Sequence, residues 1–94
     1  MTLALMYDLP DMTSPRYGGA MRAVNLDRRR PPELKLHAAW EKDEGGWQIF
    51  EVWESYEAWE AFFRERYSQA LRGRGREFSI TVLSNNVHQI YTNG

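Results

Sequence analysis

The chain predicts an α+β fold, with two helices on one antiparallel sheet, and three observations carry that expectation. "LKLHAAW" and "WQIFEVWES" flank the polar, glycine-bearing "EKDEGG", which is the signature of a β-hairpin. Helical periodicity begins twice just after a capping serine, at Ser14 and at Ser55. Short apolar runs bounded by turn residues, "TLALMYDL" and "FSITVLSNNVHQIY", stand at the two ends. The resulting order, β-α-β-β-α-β, is the ferredoxin-like arrangement, in which both helices pack on one face of the sheet.

The first run, Thr2 to Leu9, is too short for a helix and stops at "PDMTSP", so it reads as a strand. Ser14 and Pro15 then supply an N-cap and a proline at the first helical position, and Tyr17, Met21 and Val24 recur at helical spacing. That predicts a helix from Pro15 to about Asn25. In "LDRRRPPEL" the two prolines exclude a helix, and the three arginines read as a solvated loop, with an anion-binding patch as the alternative.

The hairpin loop decides which residues share a face. If Asp43 and Glu44 form the turn and Gly45 takes the left-handed position, His37 lies opposite Glu51. A loop one residue longer would set His37 opposite Val52 and shift every pair. The first register sorts the residues cleanly. Leu36, Ala38, Trp40, Phe50 and Val52 form an apolar face, expected to carry the helices, with Trp40 in the core; His37, Ala39, Ile49, Glu51 and Trp53 form a mixed face, expected to be bare. A bare face with Ile49 and Trp53 on it needs a cover, and a second copy of the chain is the natural one.

Ser55 caps a second helix, with Glu57 in its first turn complementing the dipole. Trp59, Phe62, Phe63, Ala70 and Leu71 make its buried stripe, Glu60 and Arg64 pair on its wet side, and "RGRGR" ends it. The last run reads as a strand interrupted by "SNN", which predicts a kink or bulge and a separate terminal segment, Val87 to Tyr91.

Bulk properties narrow the function. With 94 residues the chain makes one domain, 1–94, whose small core invites help from a second subunit. Twelve basic residues against 13 acidic ones give a net charge of −1, so neither nucleic acid nor a membrane is an expected partner. The lack of cysteine excludes disulfides, thiol nucleophiles and thiolate metal sites, and fits a reducing, cytoplasmic setting. No apolar run is long enough to span a bilayer, and the N-terminus has no signal-peptide pattern. The unusual feature is 14% aromatic residues with four tryptophans, a composition of cores, interfaces and ligand pockets.

The layout, with a third strand running into the second helix through "VWESYEAWEAF", resembles the antibiotic biosynthesis monooxygenase-like branch of the dimeric α+β barrel proteins. "WES" followed by an aromatic residue six positions after the tryptophan carries the resemblance, and "DLPDMTSPRY" after the first strand matches it more weakly. It implies a homodimer packed sheet to sheet and through the C-terminal strand, each monomer keeping a pocket between sheet and helices. Members include cofactor-free oxygenases of aromatic polyketides, haem-degrading enzymes and cyclases. The resemblance sets Trp53 in the pocket wall and Trp59 opposite it. Ile49 stands where family oxygenases place a substrate-orienting asparagine, and the second helix lacks the histidine of the haem-degrading members.

Among the residues themselves, His37 across from Glu51 would be a base oriented by a carboxylate, a recurring acid–base arrangement. Glu51 could equally salt-bridge Lys35 or a partner's arginine. Trp53, Trp59, Ile49 and Phe63 would form an aromatic slot, with the hydroxyls of Tyr7 and Tyr17 reaching its rim. Asp8 could face the side of Ala4 and Met6 or bond turn amides, and His88 would hydrogen-bond where the terminal strand meets a partner. Trp47, beside the hairpin, reads as a rim or dimer contact. Two histidines on separate elements lack metal-ligand spacing, so neither metal nor cofactor is expected. The expected function is a small cofactor-independent enzyme of secondary metabolism, monooxygenase or cyclase, acting on an aromatic or polyketide-like substrate; a non-catalytic barrel that binds a small ligand is the alternative.

Overall fold

The computed structural model describes residues 2–24, 29–67, 78–88 and 90. Its elements are β1 (Leu3–Leu9), α1 (Ser14–Val24), β2 (Leu34–Glu41), β3 (Trp47–Trp53), α2 (Tyr56–Phe62), which runs on as a π-helical turn over Phe63–Tyr67, and β4 (Ser79–Ser84). The strands form one antiparallel sheet in the order β2-β3-β1-β4. This is the ferredoxin-like α+β fold that the element order predicts. Among the described residues, no helix is long and apolar enough to cross a membrane.

Local chemistry explains the element ends. Thr13, not Ser14, caps α1: its carbonyl accepts from the Tyr17 amide at 2.8 Å and its hydroxyl from the Arg16 amide at 3.4 Å. Two adjacent cap-competent residues made the position ambiguous, and Pro15 suits the first turn in either case because that turn's amides have no intrahelical acceptor. Ser55 caps α2 as predicted, its hydroxyl accepting from the Ala58 amide at 3.1 Å. Asn25, and the Ala70–Leu71 and "RGRGR" portions of the predicted second helix, lie outside the described residues.

The hairpin has the predicted register, with His37 paired to Glu51. The Gly45 amide donates to the Lys42 carbonyl at 3.0 Å, which makes Asp43 and Glu44 the centre of the turn. Both following glycines have positive φ, +99° at Gly45 and +83° at Gly46. Gly46 is doubly constrained, because a Cβ there would sit 2.9 Å from the backbone of Leu9 and Pro10.

The assignment of the sheet faces is corrected. Helices α1 and α2 pack on the mixed face, where Ile49, Glu51 and Trp53 are fully buried beside Leu3, Leu5, Tyr7 and Leu9. The hydrophobic cluster joins these strand residues to Ala20 of α1 and to Trp59 and Phe62 of α2. β1 decides the matter: Leu3, Leu5, Tyr7 and Leu9 share one parity and are fully buried, against Ala4, Met6 and Asp8 on the other, and pairing sets Tyr7 opposite Ile49 and Leu5 opposite Glu51. The other face therefore carries Ala4 and Val52, which are buried, with Met6, Leu36 and Phe50 half-buried and Ala38 exposed, and Trp40 on it is 40% exposed rather than core.

β4 ends at Ser84, and the irregularity falls one step earlier than "SNN". Val82 pairs with Leu5 and Ser84 with Ala4, so Leu83 is the extra residue of the bulge. Val87, His88 and Ile90 are described and form no strand, although the Val87 amide donates to the Thr2 carbonyl at 3.1 Å; the remainder of the predicted terminal segment lies outside the described residues.

Candidate functional site

Glu51 lies at the centre of a hydrogen-bonded cluster. It sits on β3 with a fully buried side chain, where an uncompensated carboxylate would be costly. Among the described residues three donors converge on it. The Tyr7 hydroxyl donates to Oε1 at 3.1 Å, the Trp53 indole N–H donates to the same oxygen at 2.9 Å, and His37 Nδ1 lies 2.7 Å from Oε2. Behind Tyr7, the Trp59 indole N–H donates to the phenol oxygen at 2.8 Å.

Strand periodicity and one helix build the arrangement. Residues 49, 51 and 53 share the helix-bearing face of β3, Tyr7 faces the same way from β1, and His37 arrives from β2 through the hairpin register. α2 brings Trp59 and Phe63 over them. The Phe63 ring lies 5.4 Å from that of Trp59 and 6.2 Å from that of Tyr7. Trp53 packs against Phe62, with centroids 5.1 Å apart.

In the neutral imidazole the Glu51 acceptor sets the tautomer. With Nδ1 donating its proton to the carboxylate, Nε2 keeps its lone pair. That nitrogen lies 3.2 Å from the Tyr17 hydroxyl, which donates to it from α1. His37 is the open end of the cluster, its side chain 18% exposed against none for Glu51. Burial, followed by the Glu51 charge, holds the Tyr7 phenol well above its ordinary pKa. The same two causes, in the same order, push the Tyr17 phenol up to about 12. Both hydroxyls thus stay protonated donors across the physiological range.

The structure brings together eight of the ten residues singled out in the sequence: His37, Glu51, Tyr7, Tyr17, Ile49, Trp53, Trp59 and Phe63. Asp8 lies on the other face of the sheet, where it is ion-paired with Lys42 at 2.6 Å, and His88 is exposed beyond the end of β4. Trp47 was expected at a rim or dimer contact. It lies on the helix-bearing face, stacked on Tyr17 with centroids 4.3 Å apart and planes 9° from parallel. Its parity with Glu51 was the available signal.

A separate open cleft of about 470 Å³ lies between the 29–33 segment and α2, lined in part by Arg29, Glu33, Glu65 and Arg66. Arg66 packs over the Phe62 ring at 4.5 Å and donates to the Arg29 carbonyl at 2.6 Å. Two arginines against two glutamates give this cleft no preference for an anion.

No family model matches the chain, and no curated protein matches it in sequence. Solved structures do match in fold. A candidate antibiotic biosynthesis monooxygenase from Bacteroides thetaiotaomicron superposes with a TM-score of 0.75 at 8% identity, covering 98% of this chain and 96% of that one. Rv0793 from Mycobacterium tuberculosis gives a TM-score of 0.73 at 14% identity, covering 94% and 98%. A variant of SnoaB, a cofactor-independent oxygenase from Streptomyces nogalater, gives 0.68 at 12% identity, covering 98% of each chain. The chain thus shares over its whole length the fold of the antibiotic biosynthesis monooxygenase structures, which is the family that the sequence resembles.

Proposed function

We propose that the protein is a small cofactor-independent enzyme that deprotonates an aromatic or polyketide-like substrate and commits it to oxygenation. The observation that carries this reading is the His37–Glu51 pair: a buried carboxylate 2.7 Å from Nδ1 leaves the opposite nitrogen basic at the open end of the cluster. His37 is the base, Glu51 its orienter, and Ile49, Trp53, Trp59, Phe63 and Tyr7 the apolar and aromatic surround. In the resting protein the Tyr17 hydroxyl occupies Nε2, so a substrate hydroxyl or activated C–H takes its place there. Once deprotonated, an anthrone-type substrate is electron-rich enough to react with dioxygen directly. Its CH₂ becomes a carbonyl that holds one oxygen atom, and the other leaves as water. SnoaB, a cofactor-independent oxygenase of the same fold, supports oxygenation over the cyclase and ligand-binding alternatives.

The test uses 1,8-dihydroxyanthrone as probe, followed with and without dioxygen. Oxygen-dependent consumption that falls about 100-fold in His37→Gln is expected, the usual size of a lost general base. Unchanged turnover in that variant would sink the base assignment.

We also propose that the bare sheet face is covered by a second copy of the chain. Its support is the half-buried Met6, Leu36 and Phe50 beside the exposed Ala38 and the 40%-exposed Trp40, apolar side chains that share this face.

A further inference from the structure

Three tryptophans lie on or against the helix-bearing face, and their indole nitrogens are treated differently. Trp53 and Trp59 donate at 2.9 and 2.8 Å. The Trp47 indole nitrogen is buried with no hydrogen-bond partner among the described residues. A buried donor without an acceptor is destabilising, and in a folded protein it calls for an explanation. Resting on the proposed function, we infer that the Trp47 N–H is the donor for a carbonyl oxygen of the bound ligand.

Placement supports that role. Trp47 shares the sheet face of Ile49 and Glu51, and its ring is stacked on Tyr17, the residue whose hydroxyl occupies His37 Nε2. A ligand that displaces this hydroxyl from Nε2 lies beside the indole. Ala39, paired with Ile49 between His37 and the Trp47 end of the hairpin, keeps that stretch of the face free of a large side chain. Trp47 and Glu51 are four strand residues apart, roughly 13 Å along β3, and side chains reaching inward shorten the gap to the length of about two fused rings. The ligand class is a planar bicyclic or tricyclic aromatic with an acidic hydroxyl at one end and a ketone at the other. The base takes the proton at His37, and the negative charge that spreads to the ketone oxygen meets the Trp47 indole N–H. Of the buried indole nitrogens among the described residues, this one has a donor to spare.

Two matched probes isolate the donor: 6-acetyl-2-naphthol, with the carbonyl, and 6-isopropyl-2-naphthol, without it. Titration calorimetry on the wild type and on Trp47→Phe gives the affinity ratio of the two probes in each protein, and dividing the ratios cancels their different acidities. The wild-type preference for the acetyl probe is expected to exceed that of Trp47→Phe by about 5- to 10-fold, the size of one hydrogen bond. In ¹⁵N-labelled wild type, which needs no variant, the Trp47 indole proton is expected to move downfield with the acetyl probe alone. Equal ratios in the two proteins, or an indole resonance that stays in place while the acetyl probe binds, overturn the Trp47 donor and leave the His37 reading standing. Failure of both naphthols to bind overturns both.

Discussion

Glu51→Gln and Glu51→Ala separate the two roles of the buried carboxylate. Among the described residues three donors point at it: the Tyr7 hydroxyl, the Trp53 indole and His37 Nδ1. Alanine removes the acceptor that all three share. At about 1–3 kcal/mol for each stranded donor, the loss is about 3–9 kcal/mol before any cavity is counted. That is comparable to the whole stability of a domain, about 5–15 kcal/mol, so Glu51→Ala is expected to be unfolded or nearly so. Glutamine keeps the shape. Its carbonyl oxygen still accepts from Tyr7 and Trp53, and removing a buried charge offsets part of the weakened hydrogen bonding. A loss of about 1–3 kcal/mol is expected.

The glutamine amide nitrogen, however, then faces His37 Nδ1 and donates to it. The imidazole switches tautomer, Nε2 carries the proton, and Tyr17 becomes its acceptor. Glu51→Gln is thus a folded protein with its base disabled, and its probe turnover is expected to fall with that of His37→Gln. Urea denaturation followed by tryptophan fluorescence at fixed protein concentration measures the stabilities, and ¹⁵N shifts of the imidazole nitrogens report the tautomer. An alanine variant within about 1 kcal/mol of wild type would refute the claim that Glu51 satisfies the cluster. A glutamine variant with wild-type nitrogen shifts would refute the tautomer argument.

Other perturbations read separate parts of the structure. Tyr17, held up to about 12 by burial and then by the Glu51 charge, keeps its proton in the folded protein after the unfolded chain has lost it near 10. Stability is therefore expected to fall as pH rises from about 10 to 12, and Tyr17→Phe to flatten that slope; urea midpoints across this range check it, and an unaltered slope counts against the shift. Gly46→Ala meets backbone at 2.9 Å as well as a positive φ, whereas Gly45→Ala meets a positive φ in open space. The former is expected to lower the melting temperature clearly more than the latter, whose cost is about 1 kcal/mol; equal effects would remove the steric argument. Trp40→Glu on the bare face is expected to shift sedimentation from dimer to monomer with the fold intact by circular dichroism, and a wild type that sediments as a monomer contradicts the covering copy.

Much of the fold was legible because its signals are local. "EKDEGG" contains both the turn residues and the glycines whose positive φ the loop requires, so the register that pairs His37 with Glu51 followed from one segment. The orientation of the sheet is not legible in β2 and β3 alone, because β1 decides it. On the hairpin alone, Leu36, Ala38, Trp40, Phe50 and Val52 are the more apolar set, and apolar sets go inward. β1 puts Leu3, Leu5, Tyr7 and Leu9 on the opposite parity, and as a central strand it outweighs the edge strand β2. Reading the strands jointly would have turned the sheet over.

The site was legible as residue types and not as a network. His37 and Glu51 stood out because a base opposite a carboxylate is a known arrangement, yet the same residues made their face look too polar to bury. What lets that face be buried is supplied from far along the chain: Tyr7 is 44 residues from Glu51, and Trp59 is 52 from Tyr7. Periodicity assigns polar residues to water because, within one segment, water is the only visible partner. Here the carboxylate, the phenol and two of the indoles satisfy one another, so a mixed strand face becomes the interior. The same condition exposes the exception, since a face on which nearly every polar group has found a partner leaves the buried Trp47 nitrogen conspicuous. Where a fold hides polar atoms this completely, the one left unmatched points to a group that comes from outside the chain.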